Sequence, residues 1–301
     1  MQIKYCDLKK SSPLPAEKFD FLAGESLNFS REKLFMISSS LELSANQIKK
    51  IKKNQALALA GTPPEYIFKK AYFAGNKFYV DENVLIPRPE TEILIQEAIG
   101  FLNKATERLS SRVLAKRSHL KDCRGHHQVC VPPANRAMTD KISILDLGTG
   151  CGCIAITLKK LFPKADLTAS DVLNNALKIA KKNAKNHKVQ IEFIQSDLFQ
   201  EINGQYDLIL ANLPYVDEKD ALVSKLADPE IALDGGKDGF ELIEKFLLKL
   251  PNHLDQNGMA VLEIGYNQEK LIKKCTKNIG LKCKIKNDLN NFARIALISK
   301  K

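Results

Sequence analysis

The stretch ILDLGTGCGCIAI, Ile144 to Ile156, decides the fold of this chain. The apolar run ILDL, which contains Asp146, predicts a buried strand. The apolar run CIAI, which follows the glycines, predicts the start of a helix. Gly148, Gly150 and Gly152 lie between the runs, where glycine lets the backbone turn sharply and approach a ligand closely. Because ligands of open α/β sheets bind outside the carboxyl ends of the strands, we expect this turn to line a binding site.

Acidic residues near the turn indicate the kind of ligand. Asp146 precedes the first glycine, where it would repel a pyrophosphate and attract a positive charge. S-adenosylmethionine carries an ammonium and a sulfonium and has no phosphate, so we predict this cofactor. Asp171 ends the next strand and would accept hydrogen bonds from ribose hydroxyls or cap the following helix. Asp197 would accept from an adenine amine, with Leu198 against the ring.

Strand and helix patterns alternate from residue 142 to residue 301, which predicts a mostly parallel sheet with helices on both faces. Two final apolar segments joined by DLNN (288–291) predict an antiparallel hairpin at one end of that sheet. Residues 15 to about 75 show helical spacing, and AGNKF (74–78) predicts a hairpin turn. We therefore expect an N-terminal helical domain over 1–75, a β-hairpin and linker over 76–103, and an α/β domain over 142–301.

Residues 104–141 form a basic segment with weak periodicity, which predicts a flexible insertion. Its sequence CRGHHQVC offers Cys123, His126, His127 and Cys130 as zinc ligands. Four ligands within eight residues would strain a tetrahedral site, and the usual two separated pairs are missing. We therefore predict an unstructured insertion and no metal.

A fourth strand ends in the tetrad Asn-Leu-Pro-Tyr, 212–215. Asn212 offers a side-chain carbonyl, and Leu213 offers a backbone carbonyl. Pro214 biases the backbone of Leu213 away from helical dihedrals, so a helix would not use that carbonyl. Two such acceptors would bind both hydrogens of an NH₂ group, with Tyr215 as a flat wall beside a planar substrate. These bonds would raise the electron density on a delocalised nitrogen, so the tetrad predicts methylation of an amide or a base amine. We assign catalysis to Asn212, Pro214 and Tyr215, and place Asn212 at the cofactor as well.

The composition indicates the setting in which the protein works. The net charge is +11, but the lysine runs contain no interleaved aromatic residues and predict solvated helix faces rather than a nucleic-acid groove. The seven scattered cysteines favour reduced thiols, and no run approaches the about 18 apolar residues that cross a bilayer. The N-terminal residues show no apolar signal core. We expect a cytoplasmic protein with no membrane contact and no stable nucleic-acid binding.

Three motifs together resemble the HemK/PrmC family of N(5)-glutamine methyltransferases: VLIPRPETE (84–92), the glycine stretch and the tetrad. The resemblance implies a Rossmann-like, seven-stranded class I methyltransferase domain that depends on S-adenosyl-L-methionine. It also implies an N-terminal helical bundle that docks the protein substrate. That substrate would be a class I peptide chain release factor, methylated on the glutamine of its Gly-Gly-Gln motif.

The resemblance further implies the residues that form the site. The glycine turn would line the cofactor through Gly148, Thr149, Gly150, Cys151 and Gly152. Asp171 and Leu198 would contact the ribose and the adenine, and residues 212–215 would hold the glutamine amide. Around the same pocket we expect Arg88, Thr91 and Glu92.

This sequence departs from the family pattern at Leu213, where the family has proline, at Asp228, where it tends to have glutamate, and in the 104–141 insertion. Only the carbonyl of residue 213 is needed, so activity should survive. The spelling Asn-Leu-Pro-Tyr is also typical of ribosomal RNA adenine dimethyltransferases. Adenine N-methylation of rRNA or DNA is therefore the alternative, and a cofactor-binding module without catalysis is a third hypothesis.

Overall fold

The computed structural model describes residues 3–122, 141–217 and 229–301. The chain divides into two compact units. The first contains Met1–Ala71 and Val80–Glu82, and the second contains Tyr72–Tyr79 and Asn83–Lys301. Each unit has its own buried apolar core, so each is described by itself.

The first unit is helical, as the spacing of its apolar residues predicts. It contains two short antiparallel strands and five helices: β1 (Ile3–Lys4), α1 (Tyr5–Lys10), α2 (Ala16–Leu27), α3 (Arg31–Ile37), β2 (Glu42–Leu43), α4 (Ala45–Leu59) and α5 (Pro64–Phe68). Ser44 and Gln47 form a reciprocal capping box at the start of α4, which satisfies backbone donors that a helix end leaves open. Phe19, Leu43 and Ile51 are fully buried in the core of this unit.

A β-hairpin follows the helical segment, at the position that AGNKF predicts. Its strands are β3 (Ala71–Phe73) and β4 (Asn76–Phe78), so the hairpin begins before the expected boundary at residue 76. The turn places Ala74 at φ 46° and Gly75 at φ 71°, the left-handed geometry that suits a two-residue hairpin loop.

Helix α6 (Glu92–Asp122) is longer than the sequence pattern indicates. The expected insertion begins at residue 104, but the structure describes a helix up to Asp122, which corrects that prediction for residues 104–122. Residues 105–122 contain many good helix formers and neither proline nor glycine, so nothing in their backbone preference stops the helix. The candidate zinc ligands, at positions 123 to 130, lie outside the described residues.

Among the residues described, no helix is both long and apolar enough to cross a membrane.

The second unit is built on a seven-stranded sheet with the predicted alternation of strands and helices. Its strands are β5 (Ser143–Leu147), β6 (Asp166–Asp171), β7 (Glu192–Gln195), β8 (Tyr206–Ala211), β9 (Leu254–Glu263), β10 (Leu281–Asn287) and β11 (Ala293–Lys300). The helices that follow α6 are α7 (Cys153–Leu161), α8 (Asn174–Asn186), α9 (Glu241–His253) and α10 (Glu269–Asn278). The strand order is β10-β11-β9-β8-β5-β6-β7.

The direction of the strands confirms the expected Rossmann-like arrangement. Neighbouring strands from β7 to β9 run parallel, whereas β11 pairs antiparallel with both β9 and β10. The predicted C-terminal hairpin is therefore present, and it lies at one end of the sheet. Strand β5 is central, with β6 on one side and β8 on the other, so the strand order reverses beside it. Such a switch point opens a crevice at the carboxyl ends of the strands.

The strand register brings the ends of the central strands together. Leu147 of β5 is level with Ser170 of β6 and with Ala211 of β8. The next residues along the chain are Gly148, Asp171 and Asn212, so residues far apart in sequence meet at one edge of the sheet.

Candidate active site

A cavity of about 420 Å³ opens at this edge of the second unit. Its volume falls within the range of about 300 to 1,000 Å³ that small-molecule sites occupy. The predicted site residues that line it are Arg88, Thr91, Gly148, Thr149, Gly150, Cys151, Asp171, Asp197, Leu198, Asn212, Leu213 and Pro214. The structure thus brings the glycine turn, the acids of two later strands and the tetrad together in one cavity.

The glycine turn adopts the left-handed conformations that favour glycine, with φ values of 71° at Gly148 and 83° at Gly152. A Cβ atom on Gly152 would lie 3.2 Å from the Cβ of Ala180 in α8, and one on Gly148 would lie 3.3 Å from the side chain of Leu213. Larger residues at these positions would therefore displace α8 or the tetrad.

Asp146 braces this turn from behind. Its Oδ2 accepts hydrogen bonds from the Thr149 hydroxyl at 2.6 Å and from the Ala155 N–H at 3.2 Å. The side chain is 0% exposed and does not line the cavity, which corrects the expectation of a direct cofactor contact. The physical reason is that the turn itself uses one carboxylate oxygen to hold its shape.

The other oxygen of Asp146 has no hydrogen-bond donor among the described residues. Burial raises the pKa of Asp146 to about 7, because a buried charge without full compensation is costly. A positive charge on a ligand beside the turn would offset that cost. This orphaned oxygen therefore fits a cationic cofactor better than a phosphate.

Asp171 connects the glycine turn to the next strand. Its Oδ2 accepts from the Gly150 N–H at 2.9 Å, and its Oδ1 accepts from the Leu173 N–H at 2.9 Å. Burial raises the pKa of this carboxyl group. The second bond lies just ahead of α8, so the capping prediction and the ligand prediction are compatible, because each carboxylate oxygen retains a second lone pair.

The part of the cavity wall next to Asp171 suits a nucleoside. Asp197 is exposed and accepts from the Gln200 side chain at 3.2 Å, and Leu198 offers apolar surface beside it. Lys245 also lines the wall, but its ammonium pairs with Glu241 at 2.8 Å. Acidic and apolar groups thus predominate here, which suits ribose and adenine without a pyrophosphate.

Three residues of the tetrad, Asn212, Leu213 and Pro214, also line the cavity. The Asn212 Nδ2 donates to the Thr91 hydroxyl at 3.1 Å, and both residues line the cavity. The Leu213 side chain is only 4% exposed and belongs to the core, where an apolar residue other than proline fits well. Among the residues described, neither the Asn212 Oδ1 nor the Leu213 carbonyl accepts a hydrogen bond.

Tyr215 takes a position that the sequence does not predict. Its hydroxyl donates to the Glu263 carboxylate at 3.1 Å, its ring packs against the core, and it is absent from the cavity wall. Burial raises the pKa of Tyr215, and the neighbouring Glu263 raises it further. In this structure Tyr215 therefore anchors the tetrad and does not form the expected flat wall.

Glu92, the last residue of the VLIPRPETE motif, also differs from the prediction. It accepts a hydrogen bond from the backbone N–H of Ala74 at 2.8 Å and so holds the hairpin turn. It does not line the cavity, whereas Arg88 and Thr91 of the same motif do.

Sequence reasoning missed three polar residues behind the tetrad: Glu263, Gln268 and Arg294. Glu263 is 1% exposed and accepts from the Thr91 hydroxyl at 2.8 Å. The Gln268 side chain donates to the Gly239 carbonyl at 2.7 Å and to the Tyr215 carbonyl at 3.3 Å. The available signal was an acid at the end of the apolar run of β9, in the segment LEIG.

Comparison with known proteins places the chain among glutamine methyltransferases. A family model described as "Methyltransferase small domain" matches residues 134–231. The ribosomal protein uL3 glutamine methyltransferase of Francisella tularensis is 33% identical over 220 residues, which cover 71% of this chain and 60% of that protein. The release factor glutamine methyltransferase of Lactococcus lactis is 33% identical over 252 residues, 82% of this chain and 77% of that protein. Its counterpart in Streptococcus pneumoniae is 34% identical over 217 residues, 71% of this chain and 65% of that protein. The chain therefore spans less than two thirds of two of these relatives and more than three quarters of the third.

Proposed function

Because the chain belongs to the HemK/PrmC family of glutamine methyltransferases, we propose that it methylates the glutamine side chain of the Gly-Gly-Gln motif in class I peptide chain release factors. Its second unit is a class I, S-adenosylmethionine-dependent methyltransferase domain. The observation that carries the proposal is the orientation of Asn212. Its Nδ2 donates to Thr91, no described residue donates to its Oδ1, and the residue lines the cavity, so we assign Oδ1 to the substrate.

The glycine turn and the acids beside it would hold the cofactor. S-adenosylmethionine supplies, when bound, a methyl group made electrophilic by its sulfonium. We assign Asp171 to the ribose hydroxyls, and Asp197 and Leu198 to the adenine. Asp146 contributes its charge from behind the turn, and the backbone of residues 148–152 gives the turn its close approach.

The tetrad would prepare the substrate nitrogen. An amide nitrogen is a weak nucleophile because its lone pair is delocalised. The Asn212 Oδ1 and the Leu213 carbonyl would accept its two hydrogens, fix its direction and stabilise the positive charge that develops on it. Pro214 lines the same wall, and Tyr215 acts from behind through Glu263. A general base is unnecessary for the attack, since the N–H group of the substrate becomes strongly acidic only after transfer and then loses its proton to water.

The substrate is tested by incubating the full chain with labelled S-adenosylmethionine and a release factor. We expect label in the release factor, and none when its Gly-Gly-Gln glutamine is changed to alanine. Label that persists after this change would exclude the proposed residue. Ribosomal protein uL3 belongs in the same assay, because one relative is named for it; label in uL3 alone would assign the activity to that protein instead.

The alternative hypothesis, adenine N-methylation, is tested by the same reaction with ribosomal RNA or DNA in place of the release factor. We expect no label in nucleic acid and no stable complex with it, although the net charge is +11. Labelled adenine would favour the adenine N-methyltransferase hypothesis. Cofactor binding without turnover on any of these substrates would favour a binding module.

We also propose roles for the remaining segments. The helical residues 1–75 would dock the release factor, and residues 142–301 would carry out the methyl transfer. The hairpin and linker of 76–103 would join these two segments. The reaction would take place in the cytoplasm, where release factors meet the ribosome and thiols stay reduced.

A further inference from the structure

We propose that Thr91 and Glu263 are positioning residues that fix which end of the Asn212 amide faces the substrate. This inference rests on the proposed function, because it concerns the same tetrad. It goes further by naming the groups that make the site an acceptor of NH₂ hydrogens.

The three side chains form a continuous hydrogen-bonded chain. The Thr91 hydroxyl donates to the Glu263 Oε2 at 2.8 Å, and the Asn212 Nδ2 donates to the Thr91 oxygen at 3.1 Å. Thr91 is 2% exposed and Glu263 is 1% exposed, so water competes little for these groups. Such a buried chain is held to one arrangement more strongly than an exposed one.

The chemistry of the groups gives this chain a direction. An ionised carboxylate only accepts hydrogen bonds, so the single hydroxyl hydrogen of Thr91 points to Glu263. The Thr91 oxygen is then left with lone pairs only, and its other partner must be a donor. The amide of Asn212 can meet this requirement only with Nδ2, which turns Oδ1 toward the cavity.

The opposite orientation would block the substrate. The two ends of an amide have nearly the same shape, so packing alone discriminates poorly between them. A flipped Asn212 would present its own NH₂ to the NH₂ of the glutamine, and two donors would face each other. The charge of Glu263 therefore decides, through Thr91, whether the clamp accepts or repels its substrate.

The hydrogen bonds around Glu263 suit this role. Burial raises the pKa of Glu263, and hydrogen bonds from Thr91 and Tyr215 together with the nearby charge of Arg294 offset part of that rise. Its second oxygen, Oε1, accepts from the Tyr215 hydroxyl at 3.1 Å. Glu263 thereby holds both ends of the tetrad, Asn212 through Thr91 and Tyr215 directly.

The test uses replacements that preserve shape and change only donors and acceptors. Glu263→Gln can donate to Thr91, which permits the reverse order of donors and the flipped amide. Thr91→Val keeps the volume and removes the hydroxyl, whereas Thr91→Ser retains it. We expect kcat/KM for the release factor to fall about 10- to 100-fold in the first two variants and by less than about threefold in Thr91→Ser.

Two further measurements separate positioning from a general structural effect. Affinity for S-adenosylhomocysteine, measured by calorimetry, should stay within about twofold in all three variants, because none of them replaces a residue of the glycine turn or an acid beside it. In a double-mutant cycle, Glu263→Gln should add no further loss to Asn212→Ala, since it acts through that residue. Glu269→Gln is the matched control, because Glu269 is a surface partner of Lys273 outside the site, and it should leave kcat/KM unchanged.

The outcomes are distinguishable from failure of the proposed function. If the unaltered protein labels no glutamine, the proposed function is wrong. If the unaltered protein does label the glutamine but Glu263→Gln retains full kcat/KM, the orientation role is wrong. It is also wrong if Glu263→Gln lowers kcat/KM by the same factor in the unaltered protein and in Asn212→Ala. The orientation role is also wrong if Thr91→Ser loses as much activity as Thr91→Val.

Discussion

Asp146 and Glu263 are both buried carboxylates near the carboxyl ends of strands in one sheet, but their hydrogen bonds differ. Glu263 accepts from Thr91 with one oxygen and from Tyr215 with the other. Asp146 uses one oxygen to hold the glycine turn, and its other oxygen has no donor among the described residues. Burial raises the pKa of both groups. Both oxygens of Glu263 therefore have donors within the protein, whereas one oxygen of Asp146 has none among the described residues. A positive charge on a ligand would offset the cost of burying that oxygen.

This comparison predicts that each carboxylate serves a different half of the reaction. Glu263 would act on the nucleophile, through the tetrad, and Asp146 would act on the cofactor, through the glycine turn. Variants on the two sides should therefore change different measured constants.

The largest effect is expected for Asn212→Ala, which removes the last side chain of the hydrogen-bonded series Glu263–Thr91–Asn212. Removing one of two acceptors from a developing positive charge should lower kcat about 10²- to 10³-fold. Affinity for the cofactor should change by less than about threefold, because the glycine turn is intact. Single-turnover kinetics and calorimetry measure the two constants; equal losses in both would contradict the division between the halves.

The next effect concerns stability and pH at Asp146. Burial raises its folded pKa from 3.8 to about 7. Between these values the folded protein binds more protons at this site than the unfolded chain, so stability declines as the pH rises from about 4 to about 7. Asp146→Asn does not titrate and should lack this decline, which would amount to about 2 to 4 kcal/mol.

Urea unfolding of both proteins without cofactor, at several pH values from about 4.5 to about 7.5, measures this difference. The free energy of unfolding of the unaltered protein should fall relative to that of Asp146→Asn as the pH rises. Parallel curves would show that the charge of Asp146 is compensated within the protein and would remove the contrast.

A smaller effect is expected on cofactor affinity. Asp146→Asn removes the negative charge behind the turn but preserves the size of the side chain. We expect the Kd for S-adenosylmethionine to rise about tenfold, in line with the loss of one buried charge that acts on the ligand across the turn. S-adenosylhomocysteine lacks the sulfonium charge and should lose less affinity. Equal losses for the two ligands would mean that the variant disturbs the turn rather than its charge.

The same contrast explains how much could be read from the sequence. The glycine turn and the tetrad are local patterns, in which strand, turn and acceptors follow one another along the chain. Their spacing was enough to predict the mostly parallel sheet and the part of the cavity wall that the glycine turn and the tetrad form. The acid at Asp171 was likewise found at the end of its strand, because strand ends meet at one edge.

The support behind the tetrad could not be predicted in this way. Thr91 lies 172 residues from Glu263 and 121 residues from Asn212 in sequence, so no local pattern encodes their contacts. The direction of Tyr215 depends on the same distant carboxylate. Helix α6 was cut short for a different reason, since weak apolar periodicity hid a segment that favours helix by backbone preference alone.

The smallest effect is expected at Leu213, which joins the two halves. Its side chain is buried in the core and lies against Gly148 of the glycine turn, while its carbonyl belongs to the substrate clamp. Leu213→Pro restores the family spelling and keeps the carbonyl, so kcat should change by less than about threefold. Proline fills less of the core than leucine, and the protein should lose about 1 to 2 kcal/mol of stability. Steady-state kinetics and urea unfolding measure both quantities. A large loss of kcat with normal stability would mean that the Leu213 side chain, through its contact with the turn, takes part in aligning the cofactor with the clamp.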